Sequence, residues 1–182
     1  MDRRLALVTG ASAGIGASFA RILASHGYDL ALTARRGDRL DKLAEEISLR
    51  YGVEALSVTA DLADPEAPGQ ILDFLTAHGR TVDALINNAG YGLPGAYADT
   101  RWDDQRAVIQ VMITAPAELA HRVLSGMVHR RFGRIVNLVS RSVKRPQLEL
   151  GLSNGARSGL SASVTVDTRL RGAETPAAGA GA

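Results

Sequence analysis

The sequence predicts an α/β fold, a parallel sheet doubly wound with helices on both faces. Three observations carry that expectation. Short apolar runs of strand length alternate with longer stretches whose apolar residues recur at helical spacing. A glycine-rich segment, Thr9-Gly10-Ala11-Ser12-Ala13-Gly14-Ile15-Gly16, joins the first run to the first helix. Finally, Gly10, Arg35, Asp61, Asn87 and Ser140 follow five successive runs, at the carboxyl ends where open parallel sheets hold their ligands.

Taken in order, Leu5-Ala6-Leu7-Val8 reads as a buried strand, and helical periodicity from Ile15 to about His26 stops at Gly27. Asp29 to Ala34 is the second strand. Arg35-Arg36-Gly37-Asp38 turns the chain, with Asp38 as N-cap for a helix over Arg39 to Arg50 whose Leu40, Leu43 and Ile47 share a face. Gly52 ends that helix and Glu54 to Thr59 forms the third strand. Asp61-Leu62 follows, and Asp64-Pro65 opens a helix through Ile71, Leu72 and Leu75. Val82 to Ile86 is the fourth strand, leading into Asn87-Asn88-Ala89-Gly90. After a loop from Tyr91 to Asp99, Thr100 is expected to cap a long helix at about 102–131, bent at Pro116, with Trp102 as a packing anchor. The fifth strand ends at Ser140.

A chain of 182 residues suits one hydrophobic core. Its net charge of +2 is spread without a basic run, so nucleic acid is not an expected partner. There is no cysteine, which excludes disulfides and thiol catalysis and fits a reducing compartment. Met1-Asp2-Arg3-Arg4 leads straight into the first strand, and no apolar run approaches membrane-spanning length. A cytoplasmic protein without a membrane partner is expected. His26, His78, His121 and His129 lack metal-ligand spacing, so no metal site is expected.

Glycines at a strand-to-helix junction have a physical use. Gly10 permits the tight turn, Gly14 lets backbone approach a pyrophosphate, and Gly16 lets the helix pack close to the sheet. With Ser12 and Ile15 they form a phosphate cradle at a helix N-terminus. At the end of the second strand a carboxylate would bond a ribose 2′-hydroxyl, whereas arginine accommodates a 2′-phosphate. Ala34-Arg35-Arg36 stands there, with no carboxylate before Asp38. That favours NADP(H) over NAD(H), the alternative being a solvated basic turn.

The pattern T-G-x-x-x-G-x-G, the Asn87-Asn88-Ala89-Gly90 segment and the strand Gly133-Arg134-Ile135-Val136-Asn137-Leu138-Val139-Ser140 together resemble the short-chain dehydrogenase/reductase family, in order and over residues 5 to 160. The resemblance implies a Rossmann-like fold, a nicotinamide cofactor held also by Asn87, Asn88, Ala89, Gly90, Asp61 and Leu62, and hydride transfer between cofactor and a carbonyl or alcohol. By resemblance Asp61 meets the adenine ring; it equally suits capping the next turn.

The same resemblance implies an Asn-Ser-Tyr-Lys catalytic set, and only its serine is matched, by Ser140. The tyrosine position falls on Ser153, the lysine position on Arg157 and the asparagine position on Met112. A phenol starts near pKa 10 and a cation can pull it toward neutrality, whereas a serine hydroxyl starts far higher. Ser153-Asn154-Gly155-Ala156-Arg157 therefore reads either as a variant active site, with Ser140, Ser153 and Arg157 polarising a carbonyl, or as a helix start capped by Ser153. Met112 reads as core packing and Tyr91 as a loop residue.

Residues 1–160 are expected to form the dinucleotide-binding domain, and 161–182, Gly/Ala-rich at the end, a disordered tail. The family's last strands are missing on this reading, as truncation or a shifted frame would produce. Three functions compete: an NAD(P)(H)-dependent oxidoreductase with a small carbonyl or alcohol substrate, a catalytically weak or inactive nucleotide-binding protein, and a truncated product of such an enzyme. A homo-oligomer through the helix at about 102–131 accompanies the first.

Overall fold

The sheet is organised on β1 (Leu5–Thr9), which is buried at every position. In the computed structural model, which describes residues 3–95 and 97–138, β1 lies between β2 (Asp29–Ala34) and β4 (Val82–Asn87). With β3 (Ala55–Thr59) and β5 (Arg134–Asn137) they form a parallel sheet in the order β3-β2-β1-β4-β5. This is the doubly wound order that the alternation of runs predicts.

Period-two alternation sends successive side chains of β1 into different layers. Leu5 and Leu7 join Leu85 in a cluster with Ile71 and Leu75 of α3 (Ala67–Ala77) and Leu119, Val123 and Met127 of α5 (Ala115–His129). Ala6 and Val8 join Leu30, Leu32 and Ile86 beneath α1 (Gly14–Ser25) and α2 (Gly37–Tyr51). On α1 the buried residues are Gly16, Ala17, Ala20 and Ala24, small enough to bring that helix close to the sheet. On α2 they are Leu40, Leu43, Ala44 and Ile47, one stripe at helical spacing. Each fully buried leucine contributes about 1.5–3 kcal/mol by its removal from water.

At the opposite, amino-terminal end of the strands, Asp29 is buried and satisfied. Its carboxylate accepts from Glu54 N–H at 2.9 Å and pairs with Arg80 at 2.7 Å, and Arg80 also pairs with Glu54. The polar cluster ties β2, β3 and the α3–β4 connection together, away from the carboxyl ends.

Several local expectations are corrected. The helix expected over 102–131 is α4 (Trp102–Ile109), a π-helical turn (Gln110–Thr114) and α5 in succession. The irregularity precedes Pro116, because proline has no N–H to give a carbonyl one turn back. The wide turn absorbs the mismatch, with Ala115 N–H donating to Gln110 O. Trp102 is no packing anchor: it is 63% exposed, since the whole first turn of α4 is exposed and the helix enters the core only at Gln105 and Val108. The capping position expected at Thr100 belongs to Arg101, and Thr100 Oγ1 instead accepts from Gln105 Nε2 at 2.6 Å. Asp38 sits inside the first turn of α2 rather than capping it, still near the positive end of the helix. Asp64 accepts from Glu66 N–H in a turn ahead of α3, whose first turn carries Pro68.

His26 and His78 bond the carbonyls of Ile22 and Phe74, each at 2.8 Å, at the ends of their helices. Among the described residues no group of three metal-ligating side chains forms, and no helix is long and apolar enough to cross a membrane.

Candidate functional site

A cleft of about 650 Å³ opens at the carboxyl ends of β1, β2 and β4, where the strand order reverses. Its wall takes Gly10, Ser12, Ala13 and Ile15 from the β1–α1 loop, 33–36 from the end of β2, 60–62 after β3, 88–91 after β4, and Val111.

The glycines divide their work by geometry. Gly10 has φ +66°, and a β-carbon there would stand 2.8 Å from Asn88 Nδ2 and 2.9 Å from Ala89 Cα. At Gly16 a β-carbon would overlap the Gly10 carbonyl oxygen and crowd Asn88 Nδ2. Gly14 differs: a β-carbon would meet nothing within 4 Å, and its φ of +58° alone favours glycine. Just ahead of it Ala13, the N-cap of α1, is in extended backbone, with no side-chain cap and no acidic residue in the first turn of the helix. The first-turn N–H groups and the positive end of the helix dipole are thus left to an incoming anion. The donor set fits a dinucleotide's pyrophosphate.

What shapes this loop is a residue outside the glycine pattern. Thr9, the last residue of β1, is 1% exposed, and its Oγ1 accepts from both Asn88 N–H and Ala89 N–H at 3.0 Å while donating to Ile86 O at 3.3 Å. Asn88 Nδ2 answers with bonds to Thr9 O at 2.9 Å and Gly10 O at 3.2 Å. The Asn-Asn-Ala-Gly segment and the glycine loop are one unit. A hydroxyl ending an otherwise apolar strand was the available signal for Thr9, since a buried hydroxyl requires partners. Asn87 turns away from the loop: its Nδ2 donates to Asn137 Oδ1 at 2.9 Å, joining β4 to β5. Asn87, Gly14 and Gly16 are not on the cleft wall itself.

Both arginines at the end of β2 reach the cleft. Arg36 Nη2 donates to Ser12 Oγ at 2.9 Å, so basic turn and glycine loop meet. The Arg35 guanidinium lies 5.6 Å from the centre of the Tyr91 ring. Thr33, also on the wall, is 1% exposed, and its hydroxyl has no partner among the described residues. Asp61 Oδ1 accepts from Ala63 N–H at 3.0 Å, which is the turn-capping role, while the residue also stands on the wall. Leu62 is buried and belongs both to the wall and to the core. Burial pushes the Tyr91 phenol above its ordinary pKa; Arg35 opposes this, and Asp61 and Asp104 add to it. Tyr91 is therefore neutral at physiological pH.

Of the catalytic positions, Met112 lies on the π-helical turn, half-buried against the core as expected. Ser140, Ser153 and Arg157 lie outside the described residues. What the described residues bring together is the cleft above β1.

A family model described as short chain dehydrogenase matches residues 4–162. The chain is 36% identical over 140 residues to the dehydrogenase/reductase SDR family member 7B of Bos taurus, covering 74% of this chain and 43% of that protein. It is 33% identical over 162 residues to an inactive hydroxysteroid dehydrogenase-like protein 1 of Rattus norvegicus, covering 85% and 47%. Among solved structures it superposes on a short-chain dehydrogenase from Sphingobium yanoikuyae in complex with NADPH with a TM-score of 0.78 and 32% identity, covering 85% of this chain and 60% of that one. The chain spans about half the length of the curated relatives it matches.

Proposed function

The chain belongs to the short-chain dehydrogenase family, and from that premise we propose that it binds NADP(H) in the cleft above β1 and serves hydride transfer between the nicotinamide and a carbonyl or alcohol. The observation that carries this is the joining of two anion-binding features in one wall: the uncapped start of α1 and the Arg35–Arg36 corner tied to Ser12. Where a 2′-hydroxyl would call for a carboxylate, β2 ends in two guanidinium groups, whose planar forks suit a phosphate. The NADPH in the Sphingobium yanoikuyae structure supports the same choice.

On this reading Gly10, Ser12, Ile15 and the first-turn amides of α1 hold the pyrophosphate, Arg35 and Arg36 the 2′-phosphate, and 88–90 the adjoining ribose. Thr33 offers its unpartnered hydroxyl from the wall. When bound, the nicotinamide supplies or accepts the hydride. Ser140, with Ser153 and Arg157, orients and polarises the substrate oxygen, and water delivers the proton. Loss of a tuned phenol removes general acid–base help typically worth about 10²–10⁴ in rate, leaving the contribution of positioning.

Titration with NADPH and NADH, followed by nicotinamide fluorescence, tests binding and coenzyme choice together. Turnover of a carbonyl panel above a heat-killed control tests the chemistry. A second reading, a nucleotide-binding protein without turnover, is favoured by Met112 at the asparagine position, where a thioether holds no relay water, and by the relative called inactive. Tight NADPH binding with no turnover decides for it. The expected setting is the cytoplasm, with self-association through α4 and α5, read by light scattering.

A further inference from the structure

Tyr91 has no role in the cradle just described, yet it makes a contact that spans the cleft. Arg35 is the first residue after β2 and Tyr91 lies four residues beyond β4, with β1 between the two strands. Two strand spacings separate β2 from β4, about 10 Å. The side chains therefore meet over the carboxyl end of β1, above the glycine loop, with the guanidinium 5.6 Å from the ring centre. That is within cation–π range.

The two arginines are held differently. Arg36 donates to Ser12, whereas among the described residues Arg35 makes no hydrogen bond or ion pair. An aromatic face attracts a guanidinium without using its N–H donors. Arg35 is exposed and rises from a strand end, and among the described residues the ring is the one partner of its guanidinium. Tyr91 by contrast is half-buried and packs against the α3–α5 core cluster, which makes it a fixed platform. Its phenol is neutral, so the ring carries no charge that would pair with the arginine directly.

We propose that Tyr91 is a positioning residue for coenzyme selectivity: its ring face parks the Arg35 guanidinium over the cleft with every N–H donor free for a 2′-phosphate. The proposal rests on the reading that the cleft takes a phosphorylated dinucleotide. Tyr91 acts through Arg35 and touches no reacting atom. Its contribution lies in ordering before binding, which lowers the conformational cost of fixing Arg35 on the ligand.

The test is the ratio of NADH to NADPH dissociation constants in wild type, Tyr91→Phe, Tyr91→Leu, Arg35→Leu and the Tyr91→Leu/Arg35→Leu double variant. Tyr91→Phe keeps the wild-type ratio. Tyr91→Leu lowers it about two- to fivefold, through weaker NADPH binding at unchanged NADH affinity. In the Arg35→Leu background the second substitution changes the ratio no further. Tyr91→Met repeats the measurement with a flexible side chain should the leucine variant not fold. Equal losses for NADPH and NADH in Tyr91→Leu indicate a packing role and overturn the proposal. So does a loss in Tyr91→Phe as large as in Tyr91→Leu, which assigns the effect to the hydroxyl. Wild type that binds neither coenzyme, or both equally, sinks the phosphate-site reading and this proposal with it; a selective wild type with an unaltered Tyr91→Leu sinks this proposal alone.

Discussion

Thr9 and Asn88, 79 positions apart in sequence, hold each other in both directions. The threonine hydroxyl accepts the asparagine's backbone N–H at 3.0 Å, and the asparagine side-chain amide donates to the threonine carbonyl at 2.9 Å. Through this exchange the end of β4 supports the loop after β1, so the glycine-rich loop is held by two crossovers and not by its own glycines alone. Thr9→Val keeps the volume while removing the acceptor of two backbone N–H groups. The expected outcome is a destabilisation of about 1–3 kcal/mol in urea unfolding, together with weakened NADPH binding, because the loop loses its support.

Gly14 and Gly16 separate strain from collision. Gly14→Ala places a methyl in open space but forces a left-handed backbone, costing about 1–2 kcal/mol. The variant is expected to fold and to bind NADPH weakly. Gly16→Ala drives a β-carbon into the Gly10 carbonyl and the Asn88 amide, so both thermal stability and binding fall. Thermal melts of the pair, read beside fluorescence titrations, distinguish the two effects. Equal melting temperatures for the two variants would falsify this division of roles.

On the proposed reading Arg36, tied to Ser12, meets the coenzyme's 2′-phosphate. A hydrogen bond to a charged group contributes about 1.5–3 kcal/mol. Arg36→Leu is therefore expected to weaken NADPH binding by about 10- to 150-fold while NADH affinity stays near its wild-type value. Measured dissociation constants decide it; parallel losses for both coenzymes count against a phosphate contact.

The raised phenol of Tyr91 makes stability fall at alkaline pH. Its pKa is above the ordinary value in the folded chain because burial disfavours the phenolate. The contribution is fully present below the unfolded value, about 10, and is lost as pH rises through the folded one. Tyr91→Phe removes this component, so its unfolding free energy is expected to decline less steeply above pH of about 10. Paired urea titrations across the alkaline range supply the comparison.

A core substitution gives a scale for these effects. Leu7, fully buried in the central strand between Leu85 and the α3–α5 layer, is expected to cost about 2–5 kcal/mol as Leu7→Ala. Chemical unfolding measures it, and a loss well under 1 kcal/mol would show that the layer collapses around the gap.

Strand and helix positions were legible because β1, β2 and β4 are sheathed on both faces, so their apolar runs stand out from amphipathic helices such as α2. Element ends were less legible. Asp38, Thr100 and the bend ahead of Pro116 each depend on which backbone group finds a partner, a competition that residue preference alone does not settle. Trp102 follows a related logic: aromatic bulk signals burial only where a neighbouring layer arrives, and among the described residues none covers the first turn of α4.

The order of letters alone determined the doubly wound class, the glycine-rich turn after β1 and the cationic end of β2, because each is written within a few consecutive residues. Tertiary structure decided what those pieces do to one another. Thr9 became the hinge pin of the glycine loop, Asn87 joined β5, and Arg35 met Tyr91 across the cleft. Such pairings join residues tens of positions apart, and only the parallel sheet, by gathering the strand ends along one edge, brings them into contact.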